Sequence, residues 1–163
     1  MSATIRFAAV DDAPSVAAIY RPVVEETTIS FEETAPDAAE MSQRIASITE
    51  SYPWLVACER DGVLGYAYAA RHHERAGYRF SVNVSVYVAQ EARGRSIGSM
   101  LYTRLFDVLR AGGFHRAFAA ITLPNDASVA LHRRFGFREV GVYHEVGYKF
   151  GRWLDVMWAE RAI

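Results

Sequence analysis

The spacing of apolar positions changes repeatedly along the chain and predicts an alternation of strands and helices. Thr4 to Ala8 alternates enough for a short first strand. Val16, Ile19, Tyr20, Val23 and Val24 then recur at helical spacing, behind Asp11 or Asp12 as a cap and with Pro14 in the first turn. Asp37 follows Pro36 and has Glu40 three residues on, so a capping box opens a second helix striped by Met41, Ile45 and Ile48. From Trp54 the period shortens. Trp54 to Glu59 and Val63 to Ala70 read as strands joined at Asp61-Gly62, a hairpin signal. Phe80 to Val88 alternates strictly, with Val82, Val84, Val86 and Val88 on one face and Ser81, Asn83, Ser85 and Tyr87 on the other. A helix over about Gly98 to Leu109 ends at Gly112-Gly113. A strand (Arg116 to Ile121), a helix (about Asp126 to Phe135) and two strands (about Glu139 to Tyr148 and Leu154 to Glu160) complete the chain. The order β-α-α-β-β-β-α-β-α-β-β predicts an α/β (α+β) fold, with one mixed sheet carrying hairpins and strand–helix crossovers.

Composition narrows the picture. At 163 residues without repeat or linker, residues 1–163 are expected to form a single domain. A 51% hydrophobic content supports a sizeable core and argues against disorder. The formal charge of −1 lacks the basic surplus of a nucleic-acid binder, so a charged small metabolite is the better partner. Cys58 is the single cysteine, which excludes an intrachain disulfide and a Cys/His metal cluster. No signal-peptide core and no bilayer-length apolar run are present, so a cytoplasmic protein with no membrane partner is expected.

Val86-Tyr87-Val88, then Ala89 to Ala92, then Arg93-Gly94-Arg95-Ser96-Ile97-Gly98-Ser99 place a strand, a small-residue turn and a helix start in succession. Free N–H groups and the positive end of the helix dipole gather at such a junction and favour a phosphate or pyrophosphate. Arg93 and Arg95 add positive charge, and Gly94 and Gly98 allow close backbone approach. The run is neither a P-loop nor a dinucleotide fingerprint, since Gly-Lys-Ser/Thr and G-x-G-x-x-G are both absent. An ordinary strand-to-helix loop with two surface arginines is the alternative. In the segment from Leu123 to Phe137, Asn125 or Asp126 suits a helix cap and Gly136 its end. Seven residues separate Asn125 from His132, almost two turns, so both lie on nearly one face. A helical histidine is also commonly a surface or packing residue.

Together these segments resemble the GNAT superfamily of N-acetyltransferases. Arg93 to Gly98 matches its R/Q-x-x-G-x-G/A loop with Ser96 in place of the first glycine, and Asn125 to Phe137 is similar to its second signature. The resemblance is closer to the phosphinothricin and methionine sulfoximine N-acetyltransferases. It is carried by Tyr52 to Ala57, Val86-Tyr87-Val88, Gly98-Ser99, Leu101-Tyr102-Thr103, Gly112-Gly113-Phe114, Leu123 to Asp126 with Ser128-Val129, Gly147-Tyr148-Lys149, Gly151, Trp153 and Asp155-Val156. It implies a mostly antiparallel seven-stranded sheet flanked by about four helices and splayed between the strands at residues 80–88 and 116–121. Acetyl-CoA is the implied co-substrate, with no metal. Backbone at Val86 and Val88 would pair with pantetheine amides, flanking Tyr87. N–H groups of Gly94, Arg95, Ser96, Ile97, Gly98 and Ser99 would hold the pyrophosphate, and Asn125 would contact coenzyme A. Phe31, His73, Glu74, Arg75, Tyr78, Asn83 and Val84 would lie near the acceptor, and a homodimer is implied.

Acetyl transfer to an amine needs a group that takes a proton, because an α-amine is mostly ammonium at pH 7. In the phosphinothricin branch a glutamate is expected where this chain has Asn83, and an amide cannot accept that proton at neutral pH. Three outcomes follow. His132, with an ordinary pKa of about 6.5, acts as the base; Asn83 orders a water that passes the proton to solvent or to Glu25 or Glu26; or the chain binds acetyl-CoA but transfers weakly. His132 with an Asn83-held water is the expectation. Arg71, Arg75 and Arg79, with His72 and His73, supply cationic donors suited to a carboxylate, which suggests a small amino-acid-like amine. Tyr78, Phe31 and Trp54 are candidates for an aromatic wall, with core packing the default for Trp54. A polyamine or protein N-terminus is the competing acceptor, for which an acidic or open cleft is expected.

Overall fold

Hydrophobic alternation resolves into a single seven-stranded sheet in the computed structural model, which describes residues 3–60 and 62–163. The elements are β1 (Thr4–Phe7), α1 (Ala13–Glu26), α2 (Ala38–Thr49), β2 (Trp54–Glu59), β3 (Gly62–Arg71), β4 (Ser81–Val88), α3 (Ile97–Ala111), β5 (Arg116–Thr122), α4 (Asp126–Arg134), β6 (Arg138–Lys149) and β7 (Arg152–Ala162). Short 3₁₀ turns at Val10–Asp12, Ala76–Tyr78 and Gln90–Ala92 link them. Asp61, assigned above to the β2–β3 turn, lies outside the described residues.

The strand order is β1-β2-β3-β4-β5-β7-β6. Among the described residues only β4 and β5 run parallel, because α3 carries the chain back across the sheet between them. The two faces of β4 pack on different helices. Tyr87 meets Tyr20 of α1 edge-on at 5.0 Å, whereas Val86 and Val88 lie against Gly98 of α3. Val16, Val24, Leu101, Leu105 and Leu109 are buried in these two layers. Trp54 is only 2% exposed and stacks on Tyr68 at 4.3 Å, which places it in the core and not on an acceptor wall.

Two cap expectations change in detail. Asp12 occupies the N-cap of α1 but makes no side-chain bond to the helix. Its carboxylate accepts two hydrogen bonds from Arg6, both 2.7 Å, and one from the Ala9 N–H. A bidentate guanidinium is the stronger partner, and it holds the Asp12 carboxyl below its usual pKa. Asp37 does cap α2 by accepting from the Glu40 N–H at 2.8 Å. Glu40 does not return the bond. Its carboxylate turns to Arg44 one turn along.

Candidate active site

β4 and β5 are in register only from Ser81↔Arg116 to Asn83↔Phe118, and beyond Asn83 they part. The opening is lined by Val84 and Val86 of β4, Ile121 of β5, and Tyr102, Asn125 and His132 from the helices. On the far side of β4 the Ala89 N–H donates to the Leu64 carbonyl of β3 at 2.8 Å. Main-chain groups alternate sides along a strand, so those of Val84, Val86 and Val88 turn toward the open edge. Sheet groups left facing a gap call for a hydrogen-bonding ligand or water.

The loop at the mouth is shaped for an anion. Gly94 has φ +76°, and Ser96 caps α3 in the left-handed region at φ 62°, ψ 14°. The Ser96 side chain makes no cap bond to the helix. The first intrahelical bond runs from the Met100 N–H to the Ser96 carbonyl at 3.0 Å, so the N–H groups of Ile97, Gly98 and Ser99 precede the ladder. The glycine that Ser96 replaces is therefore not required for the left-handed turn. Arg93 is exposed at the loop. Arg95 is drawn to Glu59, 2.9 Å from each carboxylate oxygen, which offsets part of its charge. Arg134, which the sequence does not single out, comes within 3.5 Å of Ser99 Oγ.

Asn125 caps α4, its Oδ1 accepting from the Ser128 N–H at 3.2 Å. His132 is buried beside the opening. Its Nδ1 is 2.7 Å from the Ser128 carbonyl, which only accepts, so Nδ1 carries the proton. Nε2 is thereby the acceptor for the Tyr102 hydroxyl at 2.9 Å. Both ring nitrogens are engaged. Burial lowers the His132 pKa below 6.5, against a smaller opposing effect of the Ser128 carbonyl. A histidine held neutral in the fold binds its proton more readily once unfolded. Stability against urea should therefore fall as pH drops below about 6.5, by up to roughly 1.4 kcal/mol per pH unit for one group. His132→Gln is expected to remove that component, measured as the difference between the two proteins' stabilities from pH 7 to pH 5.

The acceptor residues occupy the other face. Asn83 projects opposite to Val84 and Val86, and its Oδ1 lies 2.8 Å from His72 Nδ1. The structure does not bring Asn83 and His132 together, and Glu25 and Glu26 stand exposed at the end of α1. His73, Glu74, Arg75 and Tyr78 line one surface depression, with the His73 and Tyr78 rings 4.9 Å apart. Arg71 is paired with Glu74 at 2.8 Å. Arg79 lies over the Phe80 ring and bonds the Ala76 carbonyl. Arg75 is left as the arginine of the three with no such partner among the described residues.

Phe31 is seated on Gly147 of β6. The segment leading to it is pinned by Lys149, whose Nζ donates to the carbonyls of Val24 (2.6 Å) and Ser30 (2.7 Å). Tyr20 Oη and Ser30 Oγ, 2.7 Å apart, add a second tie. Tyr102 and Lys149 enter the sequence reading only within the runs that carry the resemblance, with no site role given to either. The spacing of Tyr102, one turn after Gly98, marks it as facing the same way and is the signal that would have found it. No group of metal-binding side chains occurs among the described residues, and no described helix is long and apolar enough to cross a membrane.

A sheet opened between two parallel neighbours, beside a helix start lined with free amides, defines the acyltransferase class that takes a nucleotide thioester into the sheet. Residues 5–158 match the acetyltransferase (GNAT) domain. The chain is 42% identical to a phosphinothricin N-acetyltransferase of Streptomyces coelicolor, over 94% of this chain and 92% of that one. It is 44% identical to an L-methionine sulfoximine/L-methionine sulfone acetyltransferase of Pseudomonas paraeruginosa, over 96% of this chain and 92% of the other. A phosphinothricin acetyltransferase of Sinorhizobium meliloti, solved in complex with AcCoA, superposes with a TM-score of 0.95 at 41% identity, covering 100% of this chain and 89% of that chain. The chain belongs to the acetyltransferase (GNAT) family.

Proposed function

We propose that the chain is an acetyl-CoA-dependent N-acetyltransferase acting on the α-amine of a small zwitterionic amino acid or analogue, of the phosphinothricin, methionine sulfoximine or methionine sulfone type. The observation that carries this is the parting of β4 from β5 beyond Asn83, directly beside the amide-lined start of α3. Acetyl-CoA supplies the acyl group as a thioester. Main-chain groups of Val86 and Val88, flanking Tyr87, hold the pantetheine arm at the open edge. The N–H groups from Gly94 through Arg95, Ser96, Ile97 and Gly98 to Ser99 take the pyrophosphate, with Arg93 adding charge. Asn125 has its amide nitrogen left for coenzyme A, since its oxygen is used in the cap. A main-chain N–H at the open edge of β4 stabilises charge developing on the carbonyl oxygen, an effect often worth about 3 kcal/mol.

On the acceptor side, Arg75 and His73 receive the carboxylate, Phe31 and Tyr78 contact the side chain, and the main chain of Val84 borders them at the open edge. Glu74, paired with Arg71, orders the rim. His132 keeps the Tyr102 hydroxyl fixed at the opening. A cationic rim disfavours a polyamine. Coenzyme A thiol release over a panel of amino acids, a polyamine and an N-terminal peptide tests the substrate class. Transfer to the amino acids is expected, and transfer confined to the peptide would contradict it.

The reading carries a cytoplasmic location, where acetyl-CoA is supplied, and a homodimer. Val140, Tyr143, Val146, Tyr148, Phe150 and Trp153 are all more than half exposed on β6, β7 and their turn, and a patch of that character favours a partner. Light scattering should give twice the chain mass of 18.3 kDa, and Trp153→Glu with Tyr148→Glu should shift it toward the monomer.

A further inference from the structure

We propose that His72, held by Asn83, is the group that takes the proton from the acceptor amine. The inference rests on the acetyl-transfer function above and identifies the proton path within it. Asn83 Oδ1 stands 2.8 Å from His72 Nδ1. A carbonyl oxygen only accepts, so Nδ1 carries the hydrogen and Nε2 keeps its lone pair. Nε2 has no hydrogen-bonding partner among the described residues, in contrast to His132, where Tyr102 covers the corresponding nitrogen.

The ring is also held in place. It stacks on Phe118 at 4.2 Å with 14° between planes, and meets Tyr78 at 5.9 Å and Trp158 at 6.4 Å edge-on. Phe118 is the register partner of Asn83, the last paired position before the sheet opens. His72 thus stands at the vertex of the opening, on the face that carries the acceptor residues. The groups around it are few. Its own loop contributes His73, Arg75 and the Arg71–Glu74 pair. The following 3₁₀ turn contributes the Tyr78 hydroxyl, β4 contributes the neutral Asn83, and β5 contributes Phe118. On β7, Glu160 pairs in register with Phe118 and is bonded to Arg138 of β6.

The amide at position 83 then has a purpose that a carboxylate would serve differently. Asn83 fixes the tautomer without adding the negative charge that would favour imidazolium. The ammonium of the acceptor gives one proton to Nε2, which passes it to solvent. The neutral nitrogen forms the bond to the acyl carbon, the carbon–sulfur bond breaks, and the second nitrogen proton leaves as the sulfur is released as thiol.

The test is the pH dependence of kcat/KM for one amino-acid acceptor. His72→Phe keeps a flat ring on Phe118 and should lower kcat/KM at pH 7 by about a hundredfold, abolish the acidic limb of the profile, and leave acetyl-CoA affinity unchanged. Asn83→Asp should move that limb to higher pH, which a purely structural role for the pair would not do. Nitrogen-detected NMR of the wild-type protein should find the Nδ1–H tautomer at His72. A His72→Phe enzyme with the wild-type rate and limb, or an Nε2–H tautomer, overturns the proposal. A wild-type protein that acetylates no amine overturns the function and the proposal together, before any variant is compared.

Discussion

Gly98→Leu is expected to weaken acetyl-CoA binding about a hundredfold, close to 3 kcal/mol, while the protein stays folded. A Cβ at Gly98 would sit 3.5 Å from Leu131, 3.7 Å from Val88 and 3.9 Å from Val86, all ordinary contacts. The backbone therefore tolerates a side chain there. The atoms beyond Cβ have only the space between β4 and α4, through which the proposed function routes the pantetheine arm to the open edge of the sheet. Gly98→Ala is the control. It should bind nearly as the wild type does and gain up to about 1 kcal/mol of stability from the better helix propensity of alanine. Calorimetric titration and thermal melting of both variants check the pair of outcomes. Equal affinity in the leucine variant would mean that the arm follows another route.

The second large effect lies on the acceptor side. Gly147→Ala should raise the acceptor KM tenfold or more while acetyl-CoA affinity holds. A Cβ at Gly147 would overlap the Phe31 ring at three atoms, far inside van der Waals contact. The backbone next to that ring cannot yield easily, because Lys149 grips the Ser30 carbonyl and the Tyr20 and Ser30 hydroxyls are bonded together. Only the ring is free to swing, and it would leave the position that the proposed function gives it beside the substrate. Steady-state kinetics with the acceptor varied, beside a coenzyme A titration, separates this from a general loss of fold. Unchanged acceptor KM would remove Phe31 from the substrate site.

Local periodicity carries the elements far more completely than the interactions between them. The strand Trp54–Glu59 and the Asp37 cap of α2 are read to the residue, because alternation and capping are local properties. The loop before α3 was legible for the same reason: two glycines and a helix start declare themselves in eight or nine consecutive residues. What the sequence hides is who meets whom across the chain. Glu59 draws Arg95 from 36 positions away, and Lys149 reaches Ser30 across 119. No period predicts either pairing. His132 shows the same limit at the site. Its helical face was readable, but the Ser128 carbonyl and Tyr102 hydroxyl that use both nitrogens appear only in three dimensions. The His72–Asn83 contact escaped because His72 lies in the bend just past β3, and which residue of β4 it meets is set by a register invisible until the two strands are paired.

Titrating coenzyme A and acetyl-CoA into the wild-type protein by calorimetry tests the central claim most directly. One saturable site per chain is expected at micromolar concentrations, with each ligand displacing the other and the affinity falling as salt is raised, as an amide-and-arginine anion site requires. No heat and no competition up to millimolar ligand would contradict it.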